Sequence, residues 1–183
     1  NGYERRLRNS GAIGRNAYKG GHGLIRSPRV NARSRADLDA FRRAWRARLS
    51  ERVRFELFVG TVPSDGLTAR AKADAFAVRN GFQPIGFNWE LLDPKADIDA
   101  PRSAFGTMVE AVQRDLSNPS HDWLDAKSAR LCARQFLDAF APAALTVLTN
   151  HLNGLWWPIS DAADEWSFVA LDDDAIALWL MAA

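Results

Sequence analysis

Arginine is the residue type in this sequence whose number and spacing most clearly suggest chemistry. A guanidinium group pairs with a phosphate through two parallel hydrogen bonds, so closely spaced arginines favour a polyanionic ligand. Residues 1–35 contain nine basic side chains and one acid, Glu4. We therefore predict a nucleic-acid-binding surface for DNA or RNA, largely non-specific and steeply salt-dependent. Its candidate residues are Arg5, Arg6, Arg8, Arg15, Lys19, Arg26, Arg29, Arg33, Arg35, Arg42, Arg43 and Arg46.

The charges of the two halves of the chain have opposite signs, although the net charge is only +2. Residues 1–89 hold 18 Lys/Arg against 7 Asp/Glu, whereas residues 90–183 hold 6 against 15. One interpretation is that the halves attract each other within the fold through surface ion pairs, worth about 0–1 kcal/mol each. The other is that one end binds a charged partner. Both interpretations stay open at this point.

The acidic half also contains a group of tryptophans, which indicates an alternative function. Aromatic residues are enriched at the centres of protein interfaces. The alternative prediction is a protein-interaction module, of an inhibitor or immunity type, that binds a basic partner. Its candidate contact residues are Trp156, Trp157, Asp161, Asp164, Glu165 and Trp166.

Residues capable of catalysis or metal binding are few and poorly spaced. The histidines, His22, His121 and His151, do not have the spacing of a zinc site, and the acidic runs do not match a calcium loop. Cys132 falls on the apolar side of a predicted helix, where a thiol is unreactive. We therefore predict a non-catalytic protein with no metal and no cofactor. An enzyme would require a cleft that joins His121 or His151 to paired acids.

Composition limits the class of protein. The single cysteine excludes an intrachain disulfide, and no apolar run is long enough to span a membrane. Arginine outnumbers lysine and alanine is abundant, which is typical of a GC-rich bacterial genome. These features predict a bacterial, cytoplasmic protein without a membrane partner.

Residues 1–33 differ from the rest of the chain. They contain six of the twelve glycines, and no apolar period of 2 or 3.6 persists through them. Such a segment buries too little apolar surface to offset its ordering entropy. We expect a flexible basic arm over residues 1–33, followed by a single domain over residues 34–183.

Helical periodicity recurs four times within that domain. The first helix is predicted at residues 35–50, with Ser34 as its N-cap. Further helices are predicted at 67–80, 105–116 and 121–140. Ser120 is the predicted cap of the last, and Leu131 is assigned to its buried side.

Strand patterns surround these helices. Residues 53–59 alternate apolar and polar side chains, and a second extended run covers residues 82–92. With the helix between them, they predict a βαβ unit near residues 52–92. The apolar runs of residues 145–180 predict a C-terminal β-meander. The expected fold is a two-layer α+β domain, with about three main helices packed on a mixed or antiparallel sheet.

Overall fold

The computed structural model describes residues 32–63, 66–116, 118 and 121–183. The predicted arm lies outside these residues, apart from Ala32 and Arg33, which open the first helix. The helices are α1 (Ala32–Leu49), α2 (Ala69–Arg79), α3 (Ala104–Gln113) and α4 (Ala126–Leu137). The strands are β1 (Arg54–Gly60), β2 (Glu90–Leu92), β3 (Thr146–Thr149), β4 (His151–Leu152), β5 (Leu155–Trp156), β6 (Glu165–Leu171) and β7 (Ile176–Ala182).

Five strands form one antiparallel sheet in the order β1-β7-β6-β3-β2, and β4 pairs with β5 in a separate hairpin. Consecutive pairing of β3, β6 and β7 confirms the predicted meander. The predicted strand–helix–strand unit is also confirmed, because β1 and β2 run in the same direction and α2 connects them. They occupy opposite edges, so three strands lie between them.

The two faces of the sheet bury different sets of side chains. On one face, α1, α3 and α4 cover Ala177, Trp179 and Met181 of β7. On the other face, α2 covers Ile176 and Leu178. The three-helix layer agrees with the predicted α+β fold. Because both faces of β7 are buried, its sequence is a continuous apolar run rather than an alternating one.

Two predicted helix caps are wrong. The first helix begins at Ala32, so Ser34 lies inside it and is buried. The last begins after Asp125, whose carboxylate accepts from the amides of Lys127 and Ser128, both at 3.0 Å. This geometry assigns the cap to Asp125 instead of Ser120.

The prediction that Leu131 is buried is also wrong, because its side chain is 52% exposed. The buried stripe of α4 runs through Ala129, Cys132, Ala133 and Phe136, at spacings of three and four residues. Leu131 falls outside that stripe, so its apolar character was misleading.

The predicted extended run over residues 82–92 is a strand only at Glu90–Leu92. The preceding segment forms a tight turn around Asp74 of α2. The Asp74 carboxylate accepts from the amides of Ile85 at 2.9 Å and Gly86 at 3.0 Å, and from the indole N–H of Trp89 at 2.8 Å. Gly86 has a φ of 59°, a conformation that glycine adopts without strain.

Among the described residues, none of the helices has the length and apolar character required to cross a membrane.

Candidate nucleic-acid interface

The arginines of α1 project outward because its apolar residues hold the opposite side in the core. Leu38, Phe41, Trp45 and Leu49, three or four residues apart, are all buried. The Trp45 indole N–H also donates to Oε1 of Gln135 in α4, at 2.6 Å. This packing fixes the helix, so the positions of its exposed residues are set before any ligand binds.

Arg35, Arg42 and Arg46 follow one another at spacings of seven and four residues, which places them on the same side of α1. Arg43 is adjacent to them. We call these four residues the basic flank. Along the helix axis, Arg35 and Arg46 are about 16 Å apart. The Arg42 Nη2 donates to the carbonyl oxygen of Leu57 at 2.6 Å, so the basic flank faces the outer edge of β1.

Arg35, Arg43 and Arg46 are exposed, and none forms an ion pair with an acid of the described residues. Other arginines nearby are already compensated. Within this part of the chain the pairs are Arg33–Asp37 at 3.7 Å, Arg42–Asp39 at 3.2 Å, Arg52–Asp115 at 3.5 Å and Arg54–Glu56 at 2.9 Å. The basic flank therefore keeps three charges available for an external anion.

A shallow groove of about 690 Å³ continues the basic flank beyond the end of α1. It is lined by Arg46, Arg52 and Phe55, among others. Arg54 also lines it, and the hydrogen bond to Glu56 raises the pKa of its guanidinium. Arg52 and Arg54 are both paired with acids, so Arg46 is the arginine of this groove without an acidic partner among the described residues. The exposed Glu51 lines the groove as well and offsets part of that positive charge.

The structure brings only part of the predicted interface together. Arg35, Arg42, Arg43 and Arg46 share the basic flank, whereas Arg33 lines a different groove with Asp138 of the region after α4. The remaining candidates lie outside the described residues: Arg5, Arg6, Arg8, Arg15, Lys19, Arg26 and Arg29.

The alternative, acidic surface is smaller than predicted. Glu165 and Trp166 are buried in β6, at 0% and 1% exposure, so neither side chain can meet a partner directly. Trp156, Trp157 and Asp164 are half-buried and Asp161 is exposed. The partner-binding prediction stays a prediction for these four residues. The exposed Leu155 precedes Trp156 in β5 and was missed, because a single leucine after a turn carries no interface signal.

Glu165 instead organises the chain around the β4–β5 hairpin. Its Oε1 accepts from Asn150 Nδ2 and from the amide of Ile159, both at 2.7 Å. Its Oε2 accepts from the amide of Ser160 at 3.0 Å and from the hydroxyl of the same residue. The side-chain Oδ1 of Asn150 accepts from the amide of Ser167 at 2.7 Å. A buried carboxylate with this many donors stabilises a loop and is unavailable to a ligand.

A histidine-containing cleft of about 610 Å³ lies beside α3. His121 lines it together with Asp99, Glu110 and Asp122. However, the side chains of His121 and Asp122 make no hydrogen bond to any described residue, so the pair is not arranged as a general base with its orienting group. Among all the residues that the structure describes, no three His, Cys, Asp or Glu side chains are placed to hold a metal ion.

Cys132 supplies no nucleophile to that cleft. It is fully buried in α4, and burial raises the pKa of its thiol far above neutral pH. The thiol is therefore protonated at neutral pH and packs as a small apolar side chain.

His151 is a titratable group in the core, and its protonation should destabilise the fold. Its ring stacks on Trp166 at 4.0 Å, and its Nδ1 has no hydrogen-bond partner among the described residues. Burial lowers its pKa below the ordinary 6.5. Asp164 and Glu110 raise that pKa and Arg114 lowers it, all more weakly. The unfolded state therefore binds a proton at a higher pH than the folded state does.

The contribution of His151 to the free energy of unfolding should be greatest above pH 6.5. It should decrease as the pH falls from 6.5 toward the lowered pKa of the folded state. In His151→Phe, which keeps a ring against Trp166, the decrease should be smaller. Urea unfolding between pH 8 and pH 5 would measure it. His121→Gln is the matched control, because His121 is exposed. Equal pH slopes for wild type and His151→Phe would contradict this account.

Comparison of the chain with protein-family models, with curated proteins and with solved structures finds no match.

Proposed function

We propose that this chain is a non-catalytic bacterial accessory protein of the cytoplasm that contacts nucleic acid through its basic N-terminal arm and the basic flank of α1. The observation that carries the proposal is the charge on α1. Arg35, Arg43 and Arg46 are exposed without a carboxylate partner among the described residues. The bacterial and cytoplasmic parts rest on composition alone.

The dimensions of the basic flank suit a phosphate backbone. Its length of about 16 Å corresponds to roughly five phosphates of one strand, at about 3.4 Å along the duplex axis for each. Because the helix is fixed by its buried side, binding at the basic flank itself orders only the arginine side chains. Contacts of this kind position a nucleic acid without reading its sequence. The proposal therefore predicts similar affinities for unrelated sequences.

Replacing both Arg43 and Arg46 by alanine is expected to weaken oligonucleotide binding uniformly across sequences. The slope of log K against log salt is negative, and each lost phosphate contact should make it shallower by about 0.9. The slope of the double variant should therefore be roughly 2 smaller in magnitude than that of the wild type. The fold should be unaffected, since both side chains are exposed. Fluorescence anisotropy with labelled DNA and RNA over a salt series would measure both quantities.

The matched control removes two exposed positive charges elsewhere, by Lys95→Ala with Arg130→Ala. This variant has the same net charge as the double arginine variant, so any difference between them reports position. Equal binding by both would refute the assignment to α1. The same assay on a chain without residues 1–31 tests the arm. Unchanged binding together with cooperative melting would remove the arm from the proposal.

A further inference from the structure

The hydrogen-bonding phase of the sheet determines which backbone groups of β1 face outward. The Ala183 amide donates to the Asp164 carbonyl at 2.9 Å, and the Asp172 amide donates to the Ala175 carbonyl at 3.0 Å. Odd-numbered residues of β7 therefore bond to β6, and even-numbered ones bond to β1. Phe58 is opposite Leu178, so the backbone amide and carbonyl groups of the even-numbered residues of β1 bond to β7. The same groups of the odd-numbered residues point away from the sheet.

With respect to the residues that the structure describes, the outer edge of β1 is consequently open over most of its length. Phe55, Leu57 and Val59 direct their amide and carbonyl groups outward. The Leu57 carbonyl accepts from Arg42, whereas the edge groups of Phe55 and Val59 bond to no described residue. At the opposite edge, β2 has three residues, and Arg102 Nη1 donates to the Leu91 carbonyl at 3.3 Å. The long edge of β1 is thus the place where this sheet can accept another strand.

The charge beside this edge selects the strand that fits. The basic flank faces the edge, as the contact between Arg42 and Leu57 shows. Two copies of β1 paired about a two-fold axis would bring their basic flanks together, which like-charge repulsion opposes. A basic segment is disfavoured for the same reason. We propose that the outer edge of β1 binds an extended acidic segment of a partner protein by strand addition.

The geometry also specifies the side-chain pattern of that segment. Arg42 and Arg46 are about 6 Å apart along α1, which matches two residues of a strand, at about 3.3 Å each. The side chains of Phe55 and Leu57 point toward α1, so every second residue of an added strand would face the basic flank. Acids belong at those positions. The residues between them would lie beside half-buried Phe58, which contacts Phe82 at 5.4 Å, and apolar side chains fit there.

This inference does not depend on the proposed function, although both ligands would contact the basic flank. A strand requires the backbone donors of β1, whereas a phosphate chain does not. An acidic strand and a nucleic acid should therefore exclude each other from the basic flank. A change to the edge amides should affect only the strand.

The test uses the full chain and a labelled peptide of alternating glutamate and valine. Binding should be measurable by anisotropy, and hydrogen exchange should slow at the amides of Phe55, Leu57 and Val59 but not at those between them. Methylation of alternate peptide nitrogens, on the edge that faces β1, should weaken binding at least tenfold. A lysine–valine peptide should bind at least tenfold more weakly than the glutamate peptide.

Val59→Pro provides the matching change on the protein. Proline at this position removes an outward N–H without removing a bond to β7, and edge strands tolerate it. It should weaken peptide binding at least tenfold and leave oligonucleotide binding unchanged, whereas Val59→Thr, which keeps the amide, should bind the peptide normally. If Val59→Pro does not fold, the methylated peptide decides the question on the wild-type chain.

Three results would overturn the inference. Undiminished binding of the methylated peptide would exclude strand addition, and equal binding of the lysine peptide would exclude a role for the basic flank. A concentration-dependent dimer in the wild-type chain that competes with the peptide would assign the edge to a second copy. If the wild-type chain bound the glutamate peptide but no oligonucleotide, the proposed function would be refuted and this inference would stand.

Discussion

Replacing Trp179 by alanine is expected to lower the free energy of unfolding by about 3–5 kcal/mol, because a large buried side chain is lost and a cavity remains. Trp179 is fully buried in β7. Its ring centroid lies 5.3 Å from that of Phe41 in α1, 6.3 Å from Phe55 in β1, 5.1 Å from Phe136 in α4 and 5.6 Å from Phe168 in β6. Urea unfolding followed by circular dichroism would measure the loss, and the m-value should stay constant.

Trp179→Phe is the informative control. The Trp179 indole N–H has no hydrogen-bond partner among the described residues, so phenylalanine removes an unpaired donor as well as some volume. The two effects have opposite signs, since an unsatisfied buried donor costs roughly 1–3 kcal/mol. We expect Trp179→Phe to be destabilised by less than about 1.5 kcal/mol. Equal losses in the two variants would contradict the assignment of this ring to the centre of the core.

Elements with one buried face were predictable from the sequence. The stripe that contains Phe41 and Trp45 repeats at helical spacing, and α1 buries that stripe. The alternation of Phe55 and Leu57 with polar neighbours likewise identifies β1, whose burial pattern alternates over those residues. The second side of α1 is largely exposed, and the residues of β1 that alternate with Phe55 and Leu57 are exposed or half-buried, so in both elements the period in the sequence reports the geometry directly.

That relation does not apply to β6, where every residue is buried. With both faces covered, alternation carries no signal, and Glu165 and Trp166 were assigned to a partner-binding surface because acids and tryptophans lie close together in this part of the sequence. Three groups compensate the buried carboxylate of Glu165: Asn150, Ile159 and Ser160. These residues are 5 to 15 positions away in the chain, and only the fold brings them together.

The basic flank is an intermediate case. Arginines at 35, 42 and 46 share one side of a helix by spacing alone, so the sequence could place them together once α1 was predicted. It could not show that Arg42 contacts Leu57 and thereby directs the flank to the edge of β1. That contact depends on the packing of the helix against the sheet. It connects the charge of α1 with the open edge of β1.

Replacing Glu165 by alanine is expected to lower the free energy of unfolding by about 3 kcal/mol. Alanine leaves the amides of Ile159 and Ser160 and the side-chain N–H of Asn150 without their acceptor in the interior. Each unsatisfied buried group costs roughly 1–3 kcal/mol, and water entering the loop reduces the sum. Urea unfolding would measure the loss of stability, and hydrogen exchange should become faster at Ile159 and Ser160.

Two controls separate this network from the loss of a negative charge. Asp161→Ala removes a neighbouring exposed carboxylate and should change stability by no more than about 0.5 kcal/mol. Glu165→Gln keeps one oxygen acceptor but presents an amide N–H₂ to the other donors, so an intermediate loss is expected. If Glu165→Ala were as stable as Asp161→Ala, the carboxylate would not hold the loop. The half-buried Trp156 and Trp157 would then owe their positions to contacts other than those around Glu165.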